Sequence, residues 1–97
     1  MNTARTPVFL MANLGSEVAK IFSAREKVNL NMLEMATQKA NEIISELKHL
    51  PETKDNKEID ILRDIILDIV KENHQYDIRA EHLRSYFYPF ALRIMNT

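Results

Sequence analysis

The sequence predicts an all-α protein, an antiparallel up-down bundle of three or four helices. The 97 residues include one glycine and three prolines, too few for the many tight turns of a β-sandwich or a doubly wound sheet. Apolar residues also recur at three- and four-residue steps over long stretches, which is the helical period. A chain of this length suits one modest core, so we predict a single helical bundle domain over residues 1–97.

The first helix is predicted to begin at Thr6-Pro7, because a hydroxyl can cap a helix and proline is tolerated at its first position. Helical spacing then links Val8, Met11, Leu14, Val18, Ile21 and Phe22. Gly15 is expected to weaken this helix by about 1 kcal/mol relative to alanine. Ser23 and Glu26 have capping-box spacing, so residues 7–50 form either one long helix or two helices with a break near Ser23. Compact packing favours the break.

Residues 28–50 carry a bundle-type seam of apolar and small residues, namely Leu33, Ala36, Ala40, Ile43, Leu47 and Leu50. Pro51 is expected to end this segment, and ETKDNK to form a loop.

The third helix is expected to begin after Asp55 or Asn56. Seven apolar residues cover close to half of its circumference: Ile59, Ile61, Leu62, Ile65, Ile66, Ile69 and Val70. So broad a face predicts burial against two or more neighbours, which would make this the central helix. An acidic row on the opposite side is expected to be solvated, and it comprises Asp60, Asp64, Asp68 and Glu72. Leu67 lies within that polar side and is a candidate contact residue.

The last helix is predicted from about Ile78 to Met95, with Pro89 on its solvent side, where it would kink the helix without ending it. Its core face consists of Leu83, Phe87, Phe90, Ala91 and Ile94. Four residues at the flanks are candidate partner-binding residues, because tyrosine and arginine are enriched in binding hot spots: Arg84, Tyr86, Tyr88 and Arg93. The competing interpretation is that this helix serves the core alone.

Several classes of function are disfavoured by the residues. A net charge of −1 argues against nucleic-acid binding, and the absence of cysteine excludes thiolate metal sites and thiol nucleophiles. Glu46 and His49 have the spacing of a di-iron ligand pair, but no second copy accompanies them, and His74 and His82 are isolated. No serine lies in a glycine-flanked elbow, and one glycine cannot build a phosphate loop. We therefore expect no enzyme activity, catalytic residue, metal or cofactor.

No apolar run approaches the roughly 20 residues of a membrane span, and the start of the chain lacks a signal-peptide core. The expectation is a soluble, unprocessed protein, and the lack of cysteine fits a cytoplasmic location.

The segment KDNKEIDILRDIILDIVKENHQYD, followed by HLRSYFYPFALRI, resembles the immunity proteins for pediocin-like (class IIa) bacteriocins. The features of that resemblance are Lys54 and Asp55 in a loop, Asp60 to Leu62 in a long amphipathic helix, Tyr76 and Asp77 in a polar turn, and Leu83, Tyr86, Tyr88 and Ala91 in an aromatic last helix. NEIISELKHL is similar to the preceding helix of the family, so the match covers about residues 40–95. Relative to that pattern, the chain has an additional apolar N-terminal segment and little after its last helix, where the family typically carries specificity.

The resemblance implies a cytosolic antiparallel four-helix bundle that protects a producer cell without catalysis. Its partner would be the bacteriocin-bound sugar-transporter receptor in the membrane. The alternative is a helical adaptor, chaperone or regulator that acts as a homodimer, with VFLMANL and the seam of the second helix supplying an apolar dimer face. A small metal-dependent or mutase-like enzyme is a third and less favoured hypothesis.

Overall fold

The computed structural model describes residues 6–71 and 78–95, and within these ranges the protein is a bundle of four α-helices. The helices are α1 (Pro7–Glu26), α2 (Leu30–His49), α3 (Lys57–Val70) and α4 (Ala80–Met95). All four contribute buried side chains to one hydrophobic core. The predicted fold class is confirmed. Four residues named above lie outside the described residues: Glu72 of the predicted acidic row, the isolated His74, and Tyr76 and Asp77 of the predicted polar turn.

The start of α1 is as predicted, with Thr6 as its cap and Pro7 at its first position. The hydroxyl of Thr6 accepts a hydrogen bond from the Phe9 amide at 3.2 Å. Leu10, which the predicted apolar spacing omitted, is fully buried, whereas Val8 and Phe22 are only partly buried.

The break in the N-terminal segment is real, but it lies at residues 27–29, a few residues beyond Ser23. Ser23 remains helical, and no capping box forms there. The turn is a Schellman motif instead, because the Asn29 amide donates to the Ala24 carbonyl at 2.8 Å and the Val28 amide to the Arg25 carbonyl at 3.2 Å. Val28 occupies the left-handed position with a φ of 53°, where glycine is usual.

Asn29 joins the two helices at this turn. While its amide closes α1, its side-chain oxygen accepts a hydrogen bond from the Met32 amide at 3.0 Å and caps α2. At the other end of α2, the hydroxyl of Thr53 donates to the Leu47 carbonyl, and Pro51 follows the last helical turn as predicted.

The predicted start of α3 is confirmed, because Asn56 caps the helix and accepts a hydrogen bond from the Glu58 amide at 2.9 Å. The prediction that α3 is the central helix is wrong. The central position belongs to α1, which packs extensively against both α2 and α4, while α3 contacts α1 and α2 more sparsely. The breadth of the apolar face of α3 did not indicate how many helices cover it. Ile61 belongs to that face and is largely exposed.

Polar contacts among the described residues hold α3 to each of the other helices. At the carboxyl end, Arg25 of α1 donates a hydrogen bond to the Ile69 carbonyl at 2.6 Å, which brings the ends of α1 and α3 together. Lys48 of α2 contacts Asp60 at 2.7 Å. From α4, the Tyr86 hydroxyl donates to the carboxylate of Glu58.

The acidic row is only partly solvated. Asp64 is exposed, but Asp68 is 3% exposed, so the expectation of a solvated row is wrong at that position. The hydrogen bond from Lys48, assisted by the charges of Lys48 and Arg63, lowers the pKa of Asp60 below its ordinary value. The stabilisation from this contact is therefore present above the ordinary carboxyl pKa and is lost as the pH falls through the lowered value.

Candidate functional site

The largely apolar groove between α1 and α4 is the main candidate site, with a volume of about 380 Å³. We call it the α1–α4 groove. Small residues form much of its α1 wall, including Ala12, Gly15 and Ala19, and α4 supplies Leu83, Phe87 and Tyr88. Its charged lining residues are Glu26 and Arg84, one on each helix. An apolar cleft with a few polar groups at its edge is typical of a binding surface.

Gly15 explains why α4 can approach α1 so closely. A β-carbon at this position would lie 2.7 Å from both Cβ and Cγ of Phe87, well inside van der Waals contact. Phe87 is buried, and the absence of a side chain at Gly15 provides the space for it. From the sequence, Gly15 was expected only to weaken the helix, and its packing role was not predicted.

Two of the four predicted partner-binding residues, Arg84 and Tyr88, line the α1–α4 groove. The side chain of Tyr88 is 59% exposed, and Arg84 is also exposed. Arg93 is exposed further along α4 but does not line the groove. The structure therefore brings Arg84 and Tyr88 together and leaves Arg93 outside their pocket.

The fourth predicted residue, Tyr86, has a different environment. Its ring packs edge-on against Phe87 at a centroid distance of 5.0 Å and tilts against Phe90 at 5.9 Å. Its hydroxyl is engaged by Glu58. Burial and this hydrogen bond to a carboxylate raise the pKa of Tyr86 well above its ordinary value. These contacts make Tyr86 a link between α4 and α3.

Pro89 lies within α4 and on its exposed side, so the prediction that the helix continues through the proline is confirmed. This continuity places Tyr88 and Arg93, which lie on opposite sides of the proline in sequence, on one helix. The proposed kink stays a prediction.

Glu17 is a polar residue whose burial the sequence did not reveal. It is 9% exposed, and its Oε2 accepts a hydrogen bond from Lys20 at 3.3 Å. Its Oε1 is buried and has no hydrogen-bond partner among the described residues. A cleft of about 210 Å³ adjoins it, lined by Met32 and Lys39 among others. In sequence, Glu17 resembles any exposed carboxylate of an amphipathic helix.

Over the described ranges, histidine and acidic residues do not gather in a group of three or more that could hold a metal ion. Glu46 and His49 accordingly do not become part of such a cluster there. No described helix has the length and apolar character needed to cross a membrane.

Searches of protein-family models, curated proteins and solved structures found no match to the chain.

Proposed function

We propose that this protein is a non-catalytic immunity protein that protects a producer cell from a class IIa bacteriocin by binding a protein partner from the cytosolic side. The α1–α4 groove, with Arg84 and Tyr88 at its edge, carries the proposal. It combines apolar surface with two of the residue types that are enriched in binding hot spots. The bundle architecture also agrees with the fold that the resemblance implies.

In this proposal the roles of the four residues on α4 differ. Tyr88 and Arg84 contact the partner directly, because they are exposed at the groove. Arg93 is exposed as well, but it lies outside the groove and about 180° around α4 from Arg84, so it does not belong to this contact surface. Tyr86 positions the helix through its hydrogen bond to Glu58. The partner is the bacteriocin-bound sugar-transporter receptor, and the mode of action is occlusion, without chemistry on a substrate.

The homodimeric adaptor has less support. Within VFLMANL, the residues Leu10, Met11 and Leu14 are buried inside the bundle. This segment therefore contributes most of its apolar surface to the monomer core and leaves little for a dimer face.

The direct test is to express the protein in a bacteriocin-sensitive strain and to challenge the cells with a panel of class IIa bacteriocins. We expect protection against at least one of them. Arg84→Gln and Tyr88→Ala should reduce this protection while the protein accumulates to the same level, because both side chains are exposed and folding does not depend on them.

Arg79→Gln is the matched control, since Arg79 is an exposed arginine that does not line the groove. It should protect as the parent does. Unchanged sensitivity to every bacteriocin in cells that contain the folded parent protein would refute the proposed function.

A further inference from the structure

A second groove runs along the outer face of α2, and we call it the α2 groove. It has a volume of about 790 Å³ and lies on the side of α2 that α1 does not cover. Leu30, Leu33 and Val70 provide apolar surface, and Glu34 and Glu42 are exposed carboxylates of its lining. Leu30 is 73% exposed, so its side chain is accessible to an occupant of the groove.

The charge of this groove has one sign. Among its described lining residues there are two glutamates and no lysine or arginine. Glu34 and Glu42 are eight positions apart, so they lie about 12 Å apart along the helix axis. Lys39, three positions before Glu42 on α2, lines a different cleft, and the ammonium of Lys48 is engaged by Asp60 at 2.7 Å. The two carboxylates are thus not neutralised from within the groove.

The groove also contains a polar group that lacks a partner. The hydroxyl of Thr37 is buried and makes no hydrogen bond within the part of the chain that the structure describes. Thr37 lies on α2 between the two glutamates and lines the same groove. The oxygen itself is inaccessible from the groove, so an occupant would contact the other atoms of Thr37 without hydrogen bonding to its hydroxyl.

We propose that the α2 groove binds a cationic amphipathic helix of a partner protein. The apolar face of that helix would cover Leu30, Leu33 and Val70, and two basic residues about two turns apart would pair with Glu34 and Glu42. The groove is long enough for this arrangement, because its lining residues extend from Leu30 to Ser45, four turns of α2.

Charge complementarity selects this occupant over others. Nucleic acid and anionic lipid would be repelled by the two carboxylates. A second copy of the chain, related by a two-fold axis, would place the glutamates of one α2 close to those of the other. The proposal does not depend on the α1–α4 groove, since α4 packs against α1 and not against α2 in the described residues.

The experiment uses the full chain, labelled with ¹⁵N, and a synthetic helical peptide of about 18 residues, five turns, with leucine on one face and lysine on the other. Amide chemical shifts should change on α2 between Leu30 and Ser45 and near Val70. A peptide with glutamate in place of lysine should leave them unchanged. The affinity should fall about tenfold in the double variant Glu34→Gln/Glu42→Gln, as expected for the loss of two exposed ion pairs.

Glu81→Gln is the matched control, because Glu81 is equally exposed but lies on α4. It should bind the peptide like the parent. Leu30→Gln tests the apolar contact at an exposed position that the fold does not need, and it should also weaken binding.

Three results would overturn the proposal: equal binding of the glutamate peptide, shifts confined to α1 and α4, or no binding of the lysine peptide by the folded protein. A dimer in sedimentation equilibrium that protects α2 would assign the groove to a second copy and overturn it too. None of these outcomes bears on protection by Arg84 and Tyr88, so the two proposals fail separately.

Discussion

The helices α4 and α3 join the bundle in different ways. Helix α4 contacts α1 by close packing of complementary surfaces, with Phe87 in the space that Gly15 leaves open. Helix α3 also buries apolar residues, but polar contacts tie it to each of its three neighbours. Close packing is intolerant of added volume, whereas hydrogen bonds and ion pairs respond to charge, pH and salt. The two helices should therefore fail under different perturbations.

The largest effect is expected where α4 meets α1. Gly15→Val places a branched side chain where even a β-carbon would lie 2.7 Å from Phe87, so we expect a loss of about 3 kcal/mol in the free energy of unfolding. Urea denaturation measures this loss. Ser16→Val is the control, because the neighbouring Ser16 is exposed and serine and valine have nearly equal helix propensities, so the free energy of unfolding should change little. Equal losses at the two positions would show that shape does not set the α1–α4 contact.

A smaller effect is expected at the carboxyl end of α3. Arg25→Met removes the hydrogen bond to the Ile69 carbonyl and should lower the free energy of unfolding by about 1.5 kcal/mol. Amide hydrogen exchange should accelerate in the last turn of α3 and change little in α4. Lys27→Met, which removes an exposed cation two residues away, should leave both quantities nearly unchanged. If exchange accelerated uniformly over all four helices, the contact would not be specific to α3.

The smallest effect is expected at the contact between α4 and α3. Tyr86→Phe removes the hydroxyl that donates to Glu58 and should lower the free energy of unfolding by about 1 kcal/mol near neutral pH. Because the pKa of Tyr86 is raised in the folded state, its stabilisation is complete below the ordinary tyrosine pKa and is lost as the pH rises through the raised value.

Unfolding measured from pH 7 to 11 should therefore show a steeper alkaline decline for the parent than for Tyr86→Phe. Tyr88→Phe is the matched variant, because that ring is 59% exposed. Parallel curves for the parent and Tyr86→Phe would argue against the contact with Glu58.

Local signals predicted the helix ends well where a side chain makes the cap. Thr6 was identified from its residue type and its position before an apolar periodic segment, and Asn56 was one of two candidates together with Asp55. The turn between α1 and α2 was placed too early, because Ser23 and Glu26 imitate a cap within a helix. The residue in the left-handed conformation is Val28, a branched residue that no sequence rule assigns to this position.

Tertiary packing was predicted less well, for a physical reason. Apolar periodicity identifies which face of a helix is buried, but it does not identify the helix that covers it. The central position of α1 depends on its close contact with α4, which is possible because Gly15 has no side chain. The burial of Glu17 and Asp68 also arises from neighbours that are distant in sequence.

For the same reason, the α4 wall of the candidate site could be predicted from the sequence and the α1 wall could not. Residue type was enough to select Arg84 and Tyr88 on α4. The opposite wall consists of small residues such as Ala12 and Ala19, which have no chemical signature of their own. The α2 groove required the structure as well, because Val70 of α3 lies beside Leu30 and Leu33 of α2 only in the folded bundle.

The turn at Val28 bears on the order in which the protein folds. A branched residue at a φ of 53° is about 1–2 kcal/mol less favourable than glycine would be, and its side chain is 78% exposed and recovers little by packing. A turn that is unfavourable by itself does not nucleate a helical hairpin. We therefore expect the pairing of α1 with α2 to come first and to impose the turn, so that the corner of the hairpin forms late in folding.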